Sequence, residues 1–175
     1  MKRFVSPFDY AGTIAKALKP DGVLLTAKAD TQVNTMTIGW GTLGIQWGKP
    51  IFIAFVRGCR HTKGMLDKNP EFTVNIPLGE IDPKILSFCG TKSGRDTDKF
   101  AALGLHTEDP EVISVPGIRE LPLTLECRVV YTQQQVPEAF CSEKIRKIYS
   151  ENSQNIHDDF HTAFYGEIVS AYIIE

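Results

Sequence analysis

The sequence is divided by glycine, proline and aspartate into short segments rich in β-branched and aromatic residues, and this spacing most constrains the fold. Segments with the length and composition of strands lie at residues 22–27, 34–41, 51–56, 71–76, 121–132 and 163–174. Short helices are predicted at residues 62–69, 83–88 and 99–103, with a further candidate at 137–150. Because strands and helices do not alternate regularly, a parallel sheet with crossover helices is disfavoured. We predict a mainly β fold, an antiparallel barrel with short peripheral helices.

The chain has the size of one ordinary domain. Its 175 residues, of which 42% are hydrophobic, can form one core, so we predict a single domain over residues 1–175. Residues 105–120, rich in Pro and Gly, are predicted to form a long surface loop, and loops of this kind are often functional or part of an interface.

Charge and hydropathy indicate which partners and compartments to expect. The net charge is −2 and no block of like charges is present, which predicts neither a nucleic-acid nor a membrane-surface partner. No stretch approaches the roughly 18 apolar residues of a membrane span. Pro7 and Asp9 interrupt the apolar core that a signal peptide needs, so we expect a mature protein that begins near Met1 and stays in the cytoplasm.

The reactive residue types form no recognisable metal or hydrolase motif. The four cysteines are widely spaced, without a C-x-x-C pair, and the histidines lack metal-ligand spacing, so we predict reduced thiols and no metal. Cys59, in a polar loop, is the one candidate reactive thiol. No G-x-S-x-G elbow or P-loop is present, which disfavours hydrolase and nucleotidase functions.

The segment 56–62 has the parts of an anion site. A strand ends in a loop with Arg57 and Arg60 and continues into a helix for which Thr62 has the chemistry of an N-cap. A helix N-terminus offers unpaired backbone N–H groups, and an arginine adds a charge-assisted fork to phosphate oxygens. The alternative is a solvated loop with an ordinary threonine cap.

Two further stretches are candidates for ligand contact. In residues 34–44, glycines and hydroxyl residues surround Met36 and Trp40, which suits the wall of a pocket for a flat aromatic ligand. The alternative is a bulged strand with Trp40 in the core. Residues 93–100 are polar and rich in turn formers; they either line a site or only cap the helix that begins at Lys99.

Taken together, these stretches resemble the flavin reductase-like family, which includes flavoredoxin and small NAD(P)H-dependent FMN reductases. The residues that carry the resemblance are 34–41, Pro50, Val56, Arg57, Arg60, Thr62, 93–96, 98–100, 125–127, His161 and 165–167. The resemblance implies an antiparallel split β-barrel of Greek-key topology that binds FMN, usually as a homodimer with the flavin near the subunit interface.

The resemblance also implies roles for individual residues. The cofactor-binding set would be Thr35, Met36, Thr37, Val56, Arg57, Arg60, Thr62, Ser93 and Lys99. Of these, residues 35–37 would line the isoalloxazine and ribityl groups, Arg60 and Thr62 would hold the phosphate, and Arg57 would contribute its backbone. His161 matches a histidine near the flavin and is the candidate catalytic residue, on the nicotinamide side.

The implied activity is transfer of a hydride from NADH or NADPH to FMN, followed by transfer of electrons to free flavin, a protein partner or another acceptor. The alternatives are a flavoredoxin-like electron carrier and a non-catalytic split-barrel module that holds flavin or haem. No G-x-G-x-x-G fingerprint is present, so a nicotinamide would stack transiently on bound FMN. Residues 137–157 match no functional motif, and we expect them to cover the active site and restrict its substrate.

Overall fold

A computed structural model of the protein describes residues 1–150 and 159–175. Its main sheet is antiparallel, with the strand order β3-β2-β6-β9-β10-β5-β4, and β1 pairs with the end of β10. The strands are β1 (Lys2–Phe4), β2 (Val23–Ala29), β3 (Gln32–Ile38), β4 (Gly41–Gln46), β5 (Lys49–Arg57), β6 (Glu71–Ile76), β7 (Thr107–Glu108), β8 (Gly117–Ile118), β9 (Leu123–Gln134) and β10 (His161–Ile174). The short β7 and β8 form a separate pair.

The helices are short and peripheral. They are α1 (Ala11–Leu18), α2 (His61–Lys68), α3 (Pro83–Thr91), α4 (Lys99–Leu103) and α5 (Glu143–Ser150), with 3₁₀ turns at Pro7–Tyr10 and Pro137–Ala139. The predicted limits of α4 are confirmed in chemical detail: Asp98 accepts a hydrogen bond from the Ala101 N–H, and Gly104 ends the helix at φ 63°. The prediction of a mainly β fold with an antiparallel sheet and short helices is therefore confirmed.

Along β2, β6 and the first half of β9, the sheet is covered on both faces. Along β2, Leu25 and Ala27 face the main core, which also takes Phe72 and Val74 of β6. Thr26 lies on the opposite face, where buried threonine and asparagine side chains of the neighbouring strands hydrogen-bond across the sheet. The alternation has the period of two expected for strands, and in this part of the sheet the helices and the segment around β7 and β8 bury the polar face as well.

Three elements differ from the sequence predictions. The single strand predicted at 34–41 is two strands, because β3 ends at Ile38 and pairs with β2, whereas β4 starts at Gly41 and pairs with β5. The break at 39–40 turns the chain from one side of the sheet to the other. The long loop predicted at 105–120 contains β7 and β8, and α1 was not predicted from the sequence.

The strand pairing determines where the functional residues lie. β10 runs antiparallel to β5, so His161 lies opposite Arg57 although the two are far apart in the sequence. α2 begins directly after β5 and packs on β2. Residues 151–158, part of the segment predicted to cover the site, lie outside the described residues. None of the described helices is both long and apolar enough to cross a membrane.

Candidate functional site

A cleft opens at the C-terminal ends of β3 and β5, and it consists of two adjoining cavities. The aromatic cavity, of about 300 Å³, is lined by residues 36–40, 55–57, Arg60 and His161. The polar cavity, of about 240 Å³, is lined by Asn34, Met36, Thr37, residues 59–62, residues 89–95 and Lys99. Met36, Thr37 and Arg60 line both, so one extended ligand can occupy the two cavities together.

The start of α2 forms one wall of the polar cavity. The helix begins at His61, and the residue at the N-cap position is Arg60, whose side chain makes no capping hydrogen bond. The prediction of Thr62 as the N-cap is therefore wrong by two residues. Arg60 is the last residue with an extended backbone, and the helical conformation starts at the next residue. The exposed Arg60 side chain and the first N–H groups of an eight-residue helix lie at the same place, as the anion-site prediction requires.

Thr62 is fully buried beside the cavity and is held by Asn34 of β3. The Asn34 amide nitrogen donates to the Thr62 hydroxyl at 2.9 Å, which leaves the threonine proton free to donate to another group. Gly94 closes against the same amide: a Cβ added at Gly94 would overlap the Asn34 side-chain oxygen and lie 2.6 Å from its Cγ. The loop 92–95 can approach β3 this closely only because residue 94 is glycine.

Lys99, at the start of α4, is a buried lysine and is 3% exposed. Its Nζ donates to the carbonyl oxygens of Thr35 at 2.7 Å and of Cys89 at 3.0 Å, so it ties β3 to α3 beneath the polar cavity. Burial lowers the pKa of Lys99 from its ordinary value. Two of its three donor directions are used within the protein, and the third remains for a ligand.

The remaining polar wall carries His61 and Arg95. Arg95 donates to the carbonyl oxygen of Cys59 at 3.2 Å, and Ser93 accepts the Arg95 backbone N–H at 3.2 Å, which fixes this loop against the end of β5. Burial lowers the pKa of His61, and the positive charges of Arg95 and Lys99 lower it further. The Nε2 atom of His61 is buried and has no hydrogen-bond partner within residues 1–150 and 159–175. The polar cavity is thus a cationic site with an unpaired buried polar atom.

The aromatic cavity is lined by the end of β3 and by Trp40, Phe55 and His161. Trp40 is 44% exposed, so it is not the core residue that one interpretation of the sequence expected. Its ring lies 4.8 Å from the ring of His161, at an interplanar angle of 39°. Val56 and Arg57 complete the wall from β5. Residues 36–40, which include the exposed Trp40, form a wall suited to a flat aromatic ring.

His161 is almost entirely buried and is hydrogen-bonded through Nδ1 to the hydroxyl of Tyr149, in α5, at 2.9 Å. Burial lowers the pKa of His161 to about 4, and the positive charges of Arg57 and Arg60 act in the same direction, while Asp159 opposes them. His161 is therefore a neutral imidazole at pH 7, and as such it can accept or donate a hydrogen bond but carries no charge.

The structure brings together all but one of the predicted site residues. Met36, Thr37, Val56, Arg57, Arg60, Thr62, Ser93, Lys99 and His161 line the cleft. Thr35 does not: its side chain accepts from Thr26 and donates to the carbonyl oxygen of Leu25 on the polar face of the sheet. Only its carbonyl oxygen contributes, by holding Lys99. Thr35 is fully buried within the sheet, whereas Thr37, two residues further along the same face of β3, is partly exposed and lines the cleft. Position along the strand, and not the face alone, therefore excludes the Thr35 side chain.

Other residues of the cleft were not given site roles from the sequence. Asn34 was recoverable, because it lies two residues before Met36 and shares its face of a strand. Arg95 lies in the candidate stretch 93–100 but was given no role of its own, and His61 carried no signal beyond its place at a helix start. Tyr149 lies in a segment without any motif. The described residues contain no group of side chains arranged to hold a metal ion, and Cys59, Cys89, Cys127 and Cys141 are free thiols.

Comparison with known proteins agrees with this geometry. Residues 20–175 match the family model described as flavin reductase like domain. Over 97 residues the chain is 29% identical to an uncharacterized protein of Archaeoglobus fulgidus, and the match covers 55% of this chain and 54% of that protein. The chain thus matches about half the length of this curated relative.

Solved structures share the fold. A flavoredoxin from Methanosarcina acetivorans is 27% identical, with a TM-score of 0.66, covering 88% of this chain and 69% of that chain. The flavoredoxin of Desulfovibrio vulgaris (Miyazaki F) is 23% identical, with a TM-score of 0.65 and the same two coverages, 88% and 69%. A putative flavin reductase with a split barrel domain from Shewanella frigidimarina is 17% identical, with a TM-score of 0.65, covering 98% and 76%. The split-barrel prediction is confirmed, and the chain belongs to the flavin reductase-like domain family.

Proposed function

We propose that the cleft binds FMN, with the phosphate in the polar cavity and the isoalloxazine ring in the aromatic cavity, and that the protein is an NAD(P)H-dependent flavin oxidoreductase. The observation that carries the proposal is the continuity of the two cavities through Met36, Thr37 and Arg60. One half of the cleft offers cationic and hydroxyl donors, and the other offers aromatic and backbone surface. FMN has an anionic phosphate at one end and a flat ring at the other, so its two ends match the two halves of the cleft.

The residues of the polar cavity fit a phosphate group. Arg60 supplies a guanidinium at the mouth, Thr62 a free hydroxyl proton, and the start of α2 its N–H groups. The buried Nε2 of His61 also has no partner, and in the Nε2–H tautomer it would donate to a phosphate oxygen. Within residues 1–150 and 159–175, none of these donors has the acceptor that phosphate oxygens would supply.

The residues of the aromatic cavity would orient the ring. β3 presents backbone at 36–38 along one edge, Trp40 covers apolar surface, and His161 reaches the cavity from β10. When bound, FMN would supply the redox chemistry, by accepting a hydride from the C4 carbon of NADH or NADPH, which leaves as the oxidised nicotinamide. The protein's own part is to fix the geometry of the two rings and to exclude water.

The experiment that tests cofactor binding compares FMN with riboflavin, which has the same ring and ribityl chain but no phosphate. Since hydrogen bonds to a charged group contribute about 1.5–3 kcal/mol, Arg60→Ala should weaken FMN by roughly ten- to a hundredfold and leave riboflavin unchanged. Flavin fluorescence titration at fixed salt measures both ligands. Arg119→Ala is the matched control, because Arg119 pairs with Glu108 outside the cleft. Equal losses for FMN and riboflavin would show that the phosphate is bound elsewhere.

The donor is tested by anaerobic mixing of the flavin-loaded protein with NADH and with NADPH. Rapid bleaching of the bound flavin supports the enzyme, and the faster of the two donors is the physiological candidate. Bleaching only by a reduced protein would support the flavoredoxin-like electron carrier instead. A colourless preparation that takes up no flavin contradicts both, and leaves a non-catalytic barrel module.

We further propose that the protein is a homodimer. The support is a solvent-facing aromatic cluster in which Trp47, in the turn between β4 and β5, contacts Tyr131 of β9 and Tyr165 of β10, with ring centroids 5.2–6.1 Å apart. Aromatic side chains left in solvent on the face of a sheet favour a partner surface. Sedimentation should give twice the 19.5 kDa of the chain, and Trp47→Glu should shift the protein toward monomer. A wild-type monomer at micromolar concentration would contradict the dimer.

A further inference from the structure

Tyr149 connects His161 to a second polar side chain. The Tyr149 hydroxyl donates to the side-chain oxygen of Gln135 at 2.6 Å, and the same hydroxyl lies 2.9 Å from His161 Nδ1. A tyrosine hydroxyl has one proton, so a proton given to Gln135 is not available for His161. The bond at Nδ1 therefore requires the imidazole to donate, which places the proton of neutral His161 on Nδ1.

The three residues are held in place from several sides. The backbone N–H of Gln135 donates to the carbonyl oxygen of His161 at 2.9 Å, so the end of β9 is tied to the start of β10. Tyr149 is 3% exposed, and its ring packs against Phe160 at 4.8 Å and Phe140 at 5.6 Å. A hydroxyl fixed in this way can determine which imidazole nitrogen carries the proton.

Burial is the main reason that the imidazole is neutral, and the surrounding charges add to its effect. The groups facing His161 are Arg57 of β5, Arg60 of the following loop and Asp159 before β10, together with the Tyr149 hydroxyl of α5. Burial makes the largest contribution to the lowered pKa of His161, and the two arginines together outweigh the carboxylate. Burial also raises the pKa of Tyr149, so its hydroxyl stays protonated.

We infer that Tyr149 is a positioning residue, which holds His161 as the Nδ1–H tautomer and makes Nε2 a hydrogen-bond acceptor for a primary carboxamide in the aromatic cavity. With Nδ1 committed to Tyr149, Nε2 is the ring nitrogen that remains for a ligand. A neutral Nε2 without a proton selects N–H donors, and the carboxamide of a nicotinamide carries an NH₂ group next to the carbon that gives up the hydride. This inference rests on the proposed function for the ligand's identity, but the tautomer itself is independent of it.

The tautomer is measured directly, on the flavin-loaded protein without nicotinamide. In ¹⁵N-histidine spectra, His161 should show a protonated Nδ1 and an unprotonated Nε2. Tyr149→Phe should remove this preference, whereas Tyr10→Phe, which deletes a hydroxyl outside the cleft, should keep it. A protonated Nε2 in the wild type, or an unchanged signal in Tyr149→Phe, would overturn the inference.

A second variant inverts the effect and needs no change in the buried ring. Gln135→Leu removes the acceptor of the Tyr149 proton, so that the hydroxyl turns to donate to Nδ1 and the imidazole proton moves to Nε2. Gln135→Glu keeps an acceptor and should retain the wild-type tautomer. Retention of Nδ1–H in Gln135→Leu would show that the hydroxyl does not determine the tautomer.

The ligand class is tested with reduced 3-acetylpyridine adenine dinucleotide, in which an acetyl group replaces the carboxamide and no NH₂ is present. The ratio of kcat/KM for NADH to that for the analogue should fall about tenfold in Gln135→Leu relative to wild type, the value of one good hydrogen bond. An unchanged ratio, with flavin reduction intact, would overturn the carboxamide assignment and leave the proposed function standing. Failure of both donors to reduce wild-type flavin would contradict the proposed function and not the tautomer.

Discussion

In the polar cavity the side chains lie on short helices that are tied to β3, whereas in the aromatic cavity they are brought together by the pairing of long strands. Lys99 and Thr62 lie at the starts of α4 and α2, and each is fixed by a hydrogen bond to β3. His161 and Tyr149 come from the last third of the chain and reach Trp40 only through the pairing of β10 with β5. The two cavities of the cleft therefore have separate structural supports. A substitution that disrupts one cavity should leave the geometry of the other unchanged.

The largest effect is expected when the buried amine beneath the polar cavity is removed. Lys99→Met keeps the apolar stem but leaves the carbonyl oxygens of Thr35 and Cys89 without their partner. Each buried group left unpaired costs about 1–3 kcal/mol, and two carbonyl groups are affected. We therefore expect the free energy of unfolding to fall by about 4 kcal/mol. FMN binding should weaken markedly as well. Urea unfolding measures the first.

Lys92→Met is the control for this substitution, because Lys92 lines the same cavity but is exposed. It should be close to neutral in stability. If the polar and aromatic cavities are independent, Lys99→Met should have the same His161 tautomer as the wild type. A stability of Lys99→Met equal to that of Lys92→Met would show that the buried hydrogen bonds do not support the cavity.

An effect of intermediate size is expected from acid, at the aromatic end. The pKa of His161 is about 4 in the folded protein, against an ordinary value of 6.5, so between these pH values the unfolded chain binds a proton that the folded protein does not. Stability is thus complete above pH 6.5 and falls as the pH decreases toward 4. A difference of this size corresponds to about 3 kcal/mol.

His161→Gln isolates this contribution, because it removes the titrating ring and leaves the pKa of His61, which burial also lowers, in place. The free energy of unfolding of this variant should decline less steeply between pH 6.5 and 4 than that of the wild type. Parallel curves for the two proteins would indicate that the buried imidazole is not the source of the acid sensitivity.

The smallest effect is expected from one added methyl group at the polar end. Gly94→Ala places a Cβ against the buried amide of Asn34, which must move and release Thr62. Overpacking of this kind costs about 1–3 kcal/mol, and FMN affinity should fall together with stability. Gly64→Ala, in α2, has no atom within 4 Å of the new Cβ and should be neutral or slightly stabilising. Similar behaviour of both variants would mean that loop 92–95 is free to withdraw from β3.

The residues chosen for substitution also show which parts of the site could be predicted from the sequence and which could not. Arg60 was predicted from a local signal, a strand that ends before a helix, and from the family resemblance. For Lys99 the local signals, an aspartate cap and Gly104, predicted only the helix, and its site role came from the resemblance alone. Such signals act between residues a few positions apart. Thr35 was assigned to the site although its hydroxyl is bonded within the sheet, because the motif specifies a segment and only the structure shows how deeply each side chain of that segment is buried.

The sequence by itself determined the class of elements, the turns that separate them, and the cationic segment at the start of α2. Only the tertiary structure decided that β3 and β4 are separate strands, that Lys99 is buried, and that Tyr149 and Gln135 hold His161 beside Trp40. The physical reason is the separation in sequence between the residues that interact. Caps, turns and alternation are fixed by neighbours along the chain, whereas the register that pairs His161 with Arg57 is set by packing of the whole sheet.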